Sequence, residues 1–267
     1  MMDVEPLREV AGKIAIVTGA ARGLGKGTAE GLADAGVHVV VSDILPDVEE
    51  TFAAIREKHP DNNGYAQITD VSDENQVKEL VEEAVNTLGC LDIMVNNAAI
   101  HLHEGLVADM EKETIDKIFA VNFYGEFFGC KYAARQMMKQ KSGSIINLGS
   151  YGGKFGFPGY SAYCASKGAV HTFTTALARE LAPHHINVNA ICPGLAATEM
   201  HWSFMNAEAD DRGMTLKQLK EEELGTIPLG RYGEGRDSAG AILWLASESG
   251  SYVTGQNLNI NGGLYFA

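Results

Sequence analysis

Lys13-Ile14-Ala15-Ile16-Val17-Thr18-Gly19-Ala20-Ala21-Arg22-Gly23-Leu24-Gly25 is a strand that runs into a glycine-rich turn. The apolar run, with Gly12 before it and the turn after it, reads as a buried strand. Residues 26–35 continue with a helical pattern, which Gly36 ends. Val37-His38-Val39-Val40-Val41-Ser42-Asp43 then reads as a second buried strand. Strand, glycine turn, helix and strand thus fall within about 30 residues, the context in which a glycine motif points to a dinucleotide. Glycines let the backbone approach a pyrophosphate, and the helix N-terminus supplies aligned N–H donors. The spacing is Gly-x-x-x-Gly-x-Gly, not the commoner Gly-x-Gly-x-x-Gly. Asp43 closes the second strand about 20 residues beyond the glycines, where a carboxylate accepts hydrogen bonds from ribose hydroxyls and repels a 2′-phosphate. The bland alternatives are a βα turn that binds nothing and a plain strand-end Asp.

The bulk of the chain agrees with one large α/β domain, or at most two small ones: 267 residues, 45% of them hydrophobic. Lys and Arg number 21 against 35 Asp and Glu, a net charge of −14 that argues against a nucleic-acid footprint and an electrostatic membrane anchor. No apolar run reaches the roughly 20 residues a membrane span needs. Met1-Met2-Asp3-Val4-Glu5-Pro6 lacks the basic start and apolar core of a signal peptide. Cys90, Cys130, Cys164 and Cys192 are widely spaced, without Cys-x-x-Cys, and read as reduced, mostly buried thiols of a cytoplasmic protein. Cys164 could act as a nucleophile, but no other sequence feature supports it.

Further along, strand and helix patterns alternate. Residues 46–59 and 74–88 read as helices, 65–69 and 91–95 as strands, and 113–139 as one long helical stretch. Asn122 lies within that stretch, where a polar side chain usually seeks a hydrogen bond. Residues 143–150 read as a fifth strand ending in Ser150, 186–191 as a sixth, and 253–263 as the last strand and its turn. Tyr163 and Lys167 stand four apart on a helix that runs to Leu181, so both lie on one face. A cationic amine beside a phenol favours the phenolate and fits it for proton transfer near neutral pH. Taken alone, such a pair is more often a solvated helix face. His101-Leu102-His103 suggests a metal, but no carboxylate or Cys cluster accompanies it, so none is expected.

Read together, these motifs resemble the classical short-chain dehydrogenase/reductase family from about Gly12 to Gly263. The matching stretches are Thr18-Gly19-x-x-x-Gly23-x-Gly25, Asp70-Val71, Asn96-Asn97-Ala98-Ala99, Asn122-x-x-Gly125, Ser150 thirteen residues before Tyr163-x-x-x-Lys167, and Pro193-Gly194-x-x-x-Thr198. Ala99 stands where the family has Gly, Gly235 where it usually has Pro, and Ala196 where a larger aliphatic residue is common. The resemblance implies a single α/β domain over 12–267 after an extension at 1–11. That domain would be a doubly wound, Rossmann-type, seven-stranded parallel sheet with helices on both faces. It implies Asn122, Ser150, Tyr163 and Lys167 as the catalytic set, with Tyr163 as general acid/base, Ser150 on the substrate oxygen and Asn122 holding a relay water.

Cofactor contacts are implied for Gly19, Arg22, Gly23, Leu24, Gly25, Asp43, Ile44, Asp70, Val71 and Asn97. They are also implied for Tyr163, Lys167, Pro193, Gly194, Ala196 and Thr198. Arg22 favours NADP in this family; Asp43 favours NAD and weighs more, because its carboxylate would occupy the place of the 2′-phosphate. Residues 199–227 correspond to a substrate lid. The expected function is hydride transfer between NAD(H) and a secondary alcohol or ketone of the polyol, sugar or cyclic alcohol class. The alternatives are an NADPH-dependent 3-oxoacyl-thioester reductase and a non-catalytic dinucleotide sensor. A small-molecule substrate and a homo-oligomer, tetramer or dimer, are the expected partners, without nucleic acid, membrane or metal.

Overall fold

Consecutive residues of the central strands serve opposite cores. The computed structural model describes residues 8–102 and 105–266. In β1 (Ile14–Thr18), Ala15 and Val17 face one side of the sheet and Ile16 the other; in β4 (Ile93–Asn96), Ile93 and Val95 oppose Met94. That is the period-two geometry of a strand with both faces covered. The remaining strands are β2 (His38–Asp43), β3 (Ala66–Ile68), β5 (Gly143–Leu148), β6 (Ile186–Pro193) and β7 (Asn257–Ile260). All pair in parallel, in the order β3-β2-β1-β4-β5-β6-β7. The order reverses between β1 and β4, and doubly wound sheets bind ligands beyond the strand carboxyl ends at that point.

Helices α1 (Gly23–Asp34), α2 (Val48–Lys58) and α9 (Gly235–Ala246) cover one face through Leu32, Phe52, Ile55 and Ile242. Helices α3 (Glu74–Leu88), α5 (Glu126–Gln140) and α6 (Ser161–Leu181) cover the other through Leu80, Met137 and Leu177. The Asp73 carboxylate caps α3 by accepting from the N–H groups of Asn75 and Gln76. Residues 199–227 contribute α7 (Glu199–Arg212) and α8 (Leu216–Thr226), which share a small core of Met205, Ala209 and Leu219. Among the described residues no helix is long and apolar enough to cross a membrane. Of the cysteines, Cys130 and Cys192 are buried, while Cys90 and Cys164 are only half-buried, so the expectation of mostly buried thiols holds for two of four.

Three boundaries differ from the sequence reading in ways that matter. Helix α1 starts at Gly23, inside the glycine turn, so its first N–H groups face the crevice. The helix expected over 113–139 is α4 (Lys112–Phe119), a π-helical turn (Ala120–Gly125) and then α5. Such turns insert a residue into the helical phase, often at functional sites. β5 ends at Leu148 rather than Ser150; the Ser150 hydroxyl instead accepts from Gly152 N, capping a short turn at Tyr151–Gly153.

One buried side chain substitutes for missing strand. β3 pairs only with the last three residues of β2. Upstream of that pairing, the Asn62 amide donates to Val37 O at 2.8 Å, and its oxygen accepts from Val39 N at 3.2 Å and Gly64 N at 3.0 Å. Asn62→Ala leaves these buried backbone groups unpaired and should lower the unfolding free energy by about 1–3 kcal/mol in denaturant titration.

Candidate active site

The carboxyl ends of β1, β2, β4, β5 and β6 open into a cleft of about 550 Å³, and every residue assigned above to cofactor contact lines it. At its floor the chain turns at Gly19 with φ +66°, and a Cβ on Gly25 would stand 2.0 Å from Gly19 O. Only glycine permits that approach, which clears space in front of the α1 N-terminus. Behind the turn, Asn97 Nδ2 donates to Thr18 O at 2.8 Å and Gly19 O at 3.0 Å. Thr18 Oγ1 in turn accepts from Asn97 N and Ala98 N. The cradle and the free N–H groups fit a pyrophosphate.

Asp43 stands at the end of β2. Its carboxylate accepts from Ala21 N and Leu45 N, each at 3.0 Å. Arg22 is exposed at the rim, as is Ile44. Asp70 Oδ1 accepts from the N–H and hydroxyl of Ser72, and Val71 packs beside Gly125. On the opposite wall, Pro193 ends β6, Gly194 and Ala196 follow it, and Thr198 Oγ1 accepts from His201 N at 3.2 Å.

Ser150, Tyr163 and Lys167 converge on the same cleft. A Cβ added to Gly152 would lie 3.3 Å from Ser150 Oγ and 3.5 Å from Tyr163 Cε1, so the two side chains bound one small space. Asn122 does not line the cleft. It lies fully buried in the π turn, where Oδ1 accepts from Ile100 N at 2.8 Å and Nδ2 donates to Ile100 O at 2.9 Å. It thereby fixes the segment that carries His101 toward Tyr163, ring centroids 4.7 Å apart.

His101 also packs against Tyr160 and Phe204, at 4.8 and 3.9 Å between centroids. His103 lies outside the described residues; among those described, no group of three His, Cys, Asp or Glu is placed to hold a metal. From α7 and α8, His201 meets Glu223 at 2.8 Å, and Tyr232 donates to the same carboxylate at 3.0 Å.

Two buried residues next to this site escape sequence reasoning. Glu126 Oε1 lies 2.9 Å from Lys167 Nζ, which also donates to Leu148 O at 2.5 Å. His171 Nε2 accepts weakly from Ser150 N at 3.4 Å and stands 3.2 Å from Cys192 Sγ. A buried Glu on a polar-looking helix and a His mid-helix carry no motif; only their burial marks them.

The comparisons with known proteins agree with this fold. A family model described as enoyl-(acyl carrier protein) reductase matches residues 19–265. A diacetyl reductase, (S)-acetoin forming, of Staphylococcus epidermidis is 40% identical over 260 residues, 95% of this chain and 99% of that protein. The chain is a short-chain dehydrogenase/reductase. It is therefore an oxidoreductase of a family that binds a nicotinamide dinucleotide. A 3-oxoacyl-(acyl-carrier-protein) reductase FabG of Staphylococcus aureus is 38% identical over 254 residues, covering 95% of this chain and 98% of its own. Among solved structures, levodione reductase superposes with a TM-score of 0.89 at 31% identity, covering 95% of this chain and 97% of that one.

Behind Ser150 in this dehydrogenase/reductase, burial holds His171 neutral and lowers its pKa from 6.5 to about 4. The unfolded chain binds that proton more readily, so His171 adds stability that is present above pH 6.5 and lost as pH falls toward 4. Thermal midpoints should drop over this window, and His171→Gln should flatten that part of the profile.

Proposed function

We propose that the chain is an NAD-dependent dehydrogenase/reductase of small secondary alcohols and ketones, acting as a homo-oligomer in the cytoplasm. The observation that carries this reading is the shared cleft. Ser150, Tyr163 and Lys167 line one part of it, and the backbone-anchored Asp43 carboxylate another. A bound nicotinamide would accept the hydride in oxidation and return it in reduction. Tyr163, as phenolate, takes the hydroxyl proton of the alcohol and returns it to the ketone. Ser150 hydrogen-bonds the same substrate oxygen, so that no metal is needed to polarise it. The Lys167 cation favours the phenolate, and Asn122 positions the segment above the site and a relay water. Asp43, an acceptor for ribose hydroxyls, opposes a 2′-phosphate and favours NAD over NADP.

The aromatic wall of His101, Tyr160 and Phe204 supports a small substrate, and α7 and α8 act as its lid, excluding water from the reacting atoms. The diacetyl reductase relative makes diacetyl and acetoin the first substrates to test, ahead of polyols, sugars and cyclic alcohols. The FabG relative supports a second reading, NADPH-linked reduction of a 3-oxoacyl thioester, which the Asp43 carboxylate disfavours. For a dimer or tetramer contact, the partly exposed aromatic face of Tyr124 and Phe127 offers an apolar surface.

Steady-state kinetics with both reduced cofactors should give higher kcat/KM with NADH than with NADPH on diacetyl, and Asp43→Ser should narrow that ratio. Faster turnover of an acetoacetyl thioester with NADPH would establish the second reading instead. Tyr163→Phe should lower kcat by about 10²–10⁴, while fluorescence titration shows NADH binding retained.

A further inference from the structure

Glu126 is the first residue of α5, immediately after the π turn that holds Asn122. It is 2% exposed, and Lys167 is 1% exposed. One carboxylate oxygen takes the Lys167 ammonium; the other, Oε2, is buried and has no hydrogen-bond partner among the described residues. A buried ion pair gains little over a well-packed apolar pair of the same volume, and its unpaired oxygen adds desolvation cost. Packing alone therefore gives no reason for a carboxylate here. The cation it engages belongs to the side chain whose charge acts on Tyr163 in the reaction proposed above.

We propose that Glu126 is a positioning residue for proton transfer: it fixes the Lys167 ammonium and, through its charge, sets how strongly Lys167 favours the Tyr163 phenolate. This rests on the proposed reading of Tyr163 and Lys167. With Glu126 ionised, the pair is neutral and its pull on the phenol is weak. With Glu126 protonated, the pair carries a full positive charge. Tyr163 and Glu126 thus compete for one proton through the same cation.

The surroundings leave few other ionic groups. Cys130, a turn along α5, and Cys192, from β6, are thiols whose ionisation burial opposes. His171, on α6, stays neutral because burial holds it down to about 4. The Lys154 ammonium, which also acts on His171 and Cys192, is bonded to Asn257 O and Asn259 Oδ1. Burial pushes the Glu126 carboxyl up from the ordinary carboxylate range, against the opposing pull of Lys167.

The test is Glu126→Gln, which keeps the shape and an acceptor for Lys167 and removes only the charge. Phenolate absorbance of Tyr163, taken as the difference between each protein and its Tyr163→Phe counterpart, needs neither substrate nor cofactor. Its onset should move to lower pH by about one unit in Glu126→Gln. The acid limb of kcat for acetoin oxidation should move with it at little-changed KM. An unmoved phenolate onset in folded Glu126→Gln would overturn the proposal and leave Glu126 as filling.

Should the Gln variant not fold, carboxyl-carbon NMR of the parent protein and of Lys167→Met replaces it. One glutamate should titrate above the ordinary carboxylate range and shift further upward when the ammonium is lost; no response in any glutamate would equally overturn the coupling. A lowered phenolate onset without turnover of any alcohol would uphold the coupling and sink the proposed reaction. Turnover with an unmoved onset would do the reverse.

Discussion

Asn97 ties together the two halves of the sheet where their winding reverses. Its amide nitrogen reaches back from the end of β4 to two consecutive carbonyls at the end of β1. Two backbone N–H groups of the same segment converge on Thr18 Oγ1. These groups lie where the β1/β4 pairing ends, at Val17 and Val95, so side chains take over from the ladder there. Without the clamp, the glycine turn could relax into the crevice that the twisting sheet opens there. The clamp keeps the cleft open and fixes the start of α1, and with it the direction of the helix dipole.

Behind the cleft runs a second, fully buried polar layer. Asn96 Nδ2, at 2.9 Å, and the Cys130 thiol both donate to Asn147 Oδ1, and Asn147 Nδ2 donates to Thr174 Oγ1 at 3.0 Å. Polar groups at this depth are costly unless each is paired, and a paired set admits few alternative packings. The layer joins β4, β5, α5 and α6: α6 carries Tyr163 and Lys167, Ser150 follows β5, and the π turn with Asn122 leads into α5. Rigidity at the site thus comes from hydrogen bonds across the sheet as well as from the apolar cores on its two faces.

The architecture was legible because buried parallel strands leave near-continuous apolar runs and because glycine spacing reports a backbone constraint. The alignment of Ser150, Tyr163 and Lys167 on one cleft follows from their places in that framework. What the sequence hid was decided by phase and by depth. The π turn breaks the 3.6-residue register expected through 113–139, so a periodic reading gives no warning that Glu126 points inward. Asn62 replaces strand pairing from a loop, which no periodicity encodes. His171 stands two turns beyond Tyr163 on α6, and its role comes from β5 and β6 folding beside it. Apolar patterning carries the fifth strand on to Ser150; two residues past its actual end, the serine gains the freedom to cap a turn.

Cofactor choice on the proposed reading depends on how firmly Asp43 is held. An unanchored acidic side chain could rotate aside and admit a 2′-phosphate at little cost. Here both carboxylate oxygens accept backbone N–H groups, from Ala21 in the glycine turn and Leu45 beyond β2. Turning the side chain away would leave two part-buried donors unpaired, a cost of about 1–3 kcal/mol for each fully buried group. Arg22 bears no such constraint: it is exposed and precedes the helix in an extended conformation. A fixed negative charge outweighs a movable positive one at close range, because the phosphate would meet the carboxylate in every accessible rotamer and the guanidinium only in some. On the proposed reading, the preference for the unphosphorylated dinucleotide would therefore belong to the same turn whose glycines would receive the pyrophosphate.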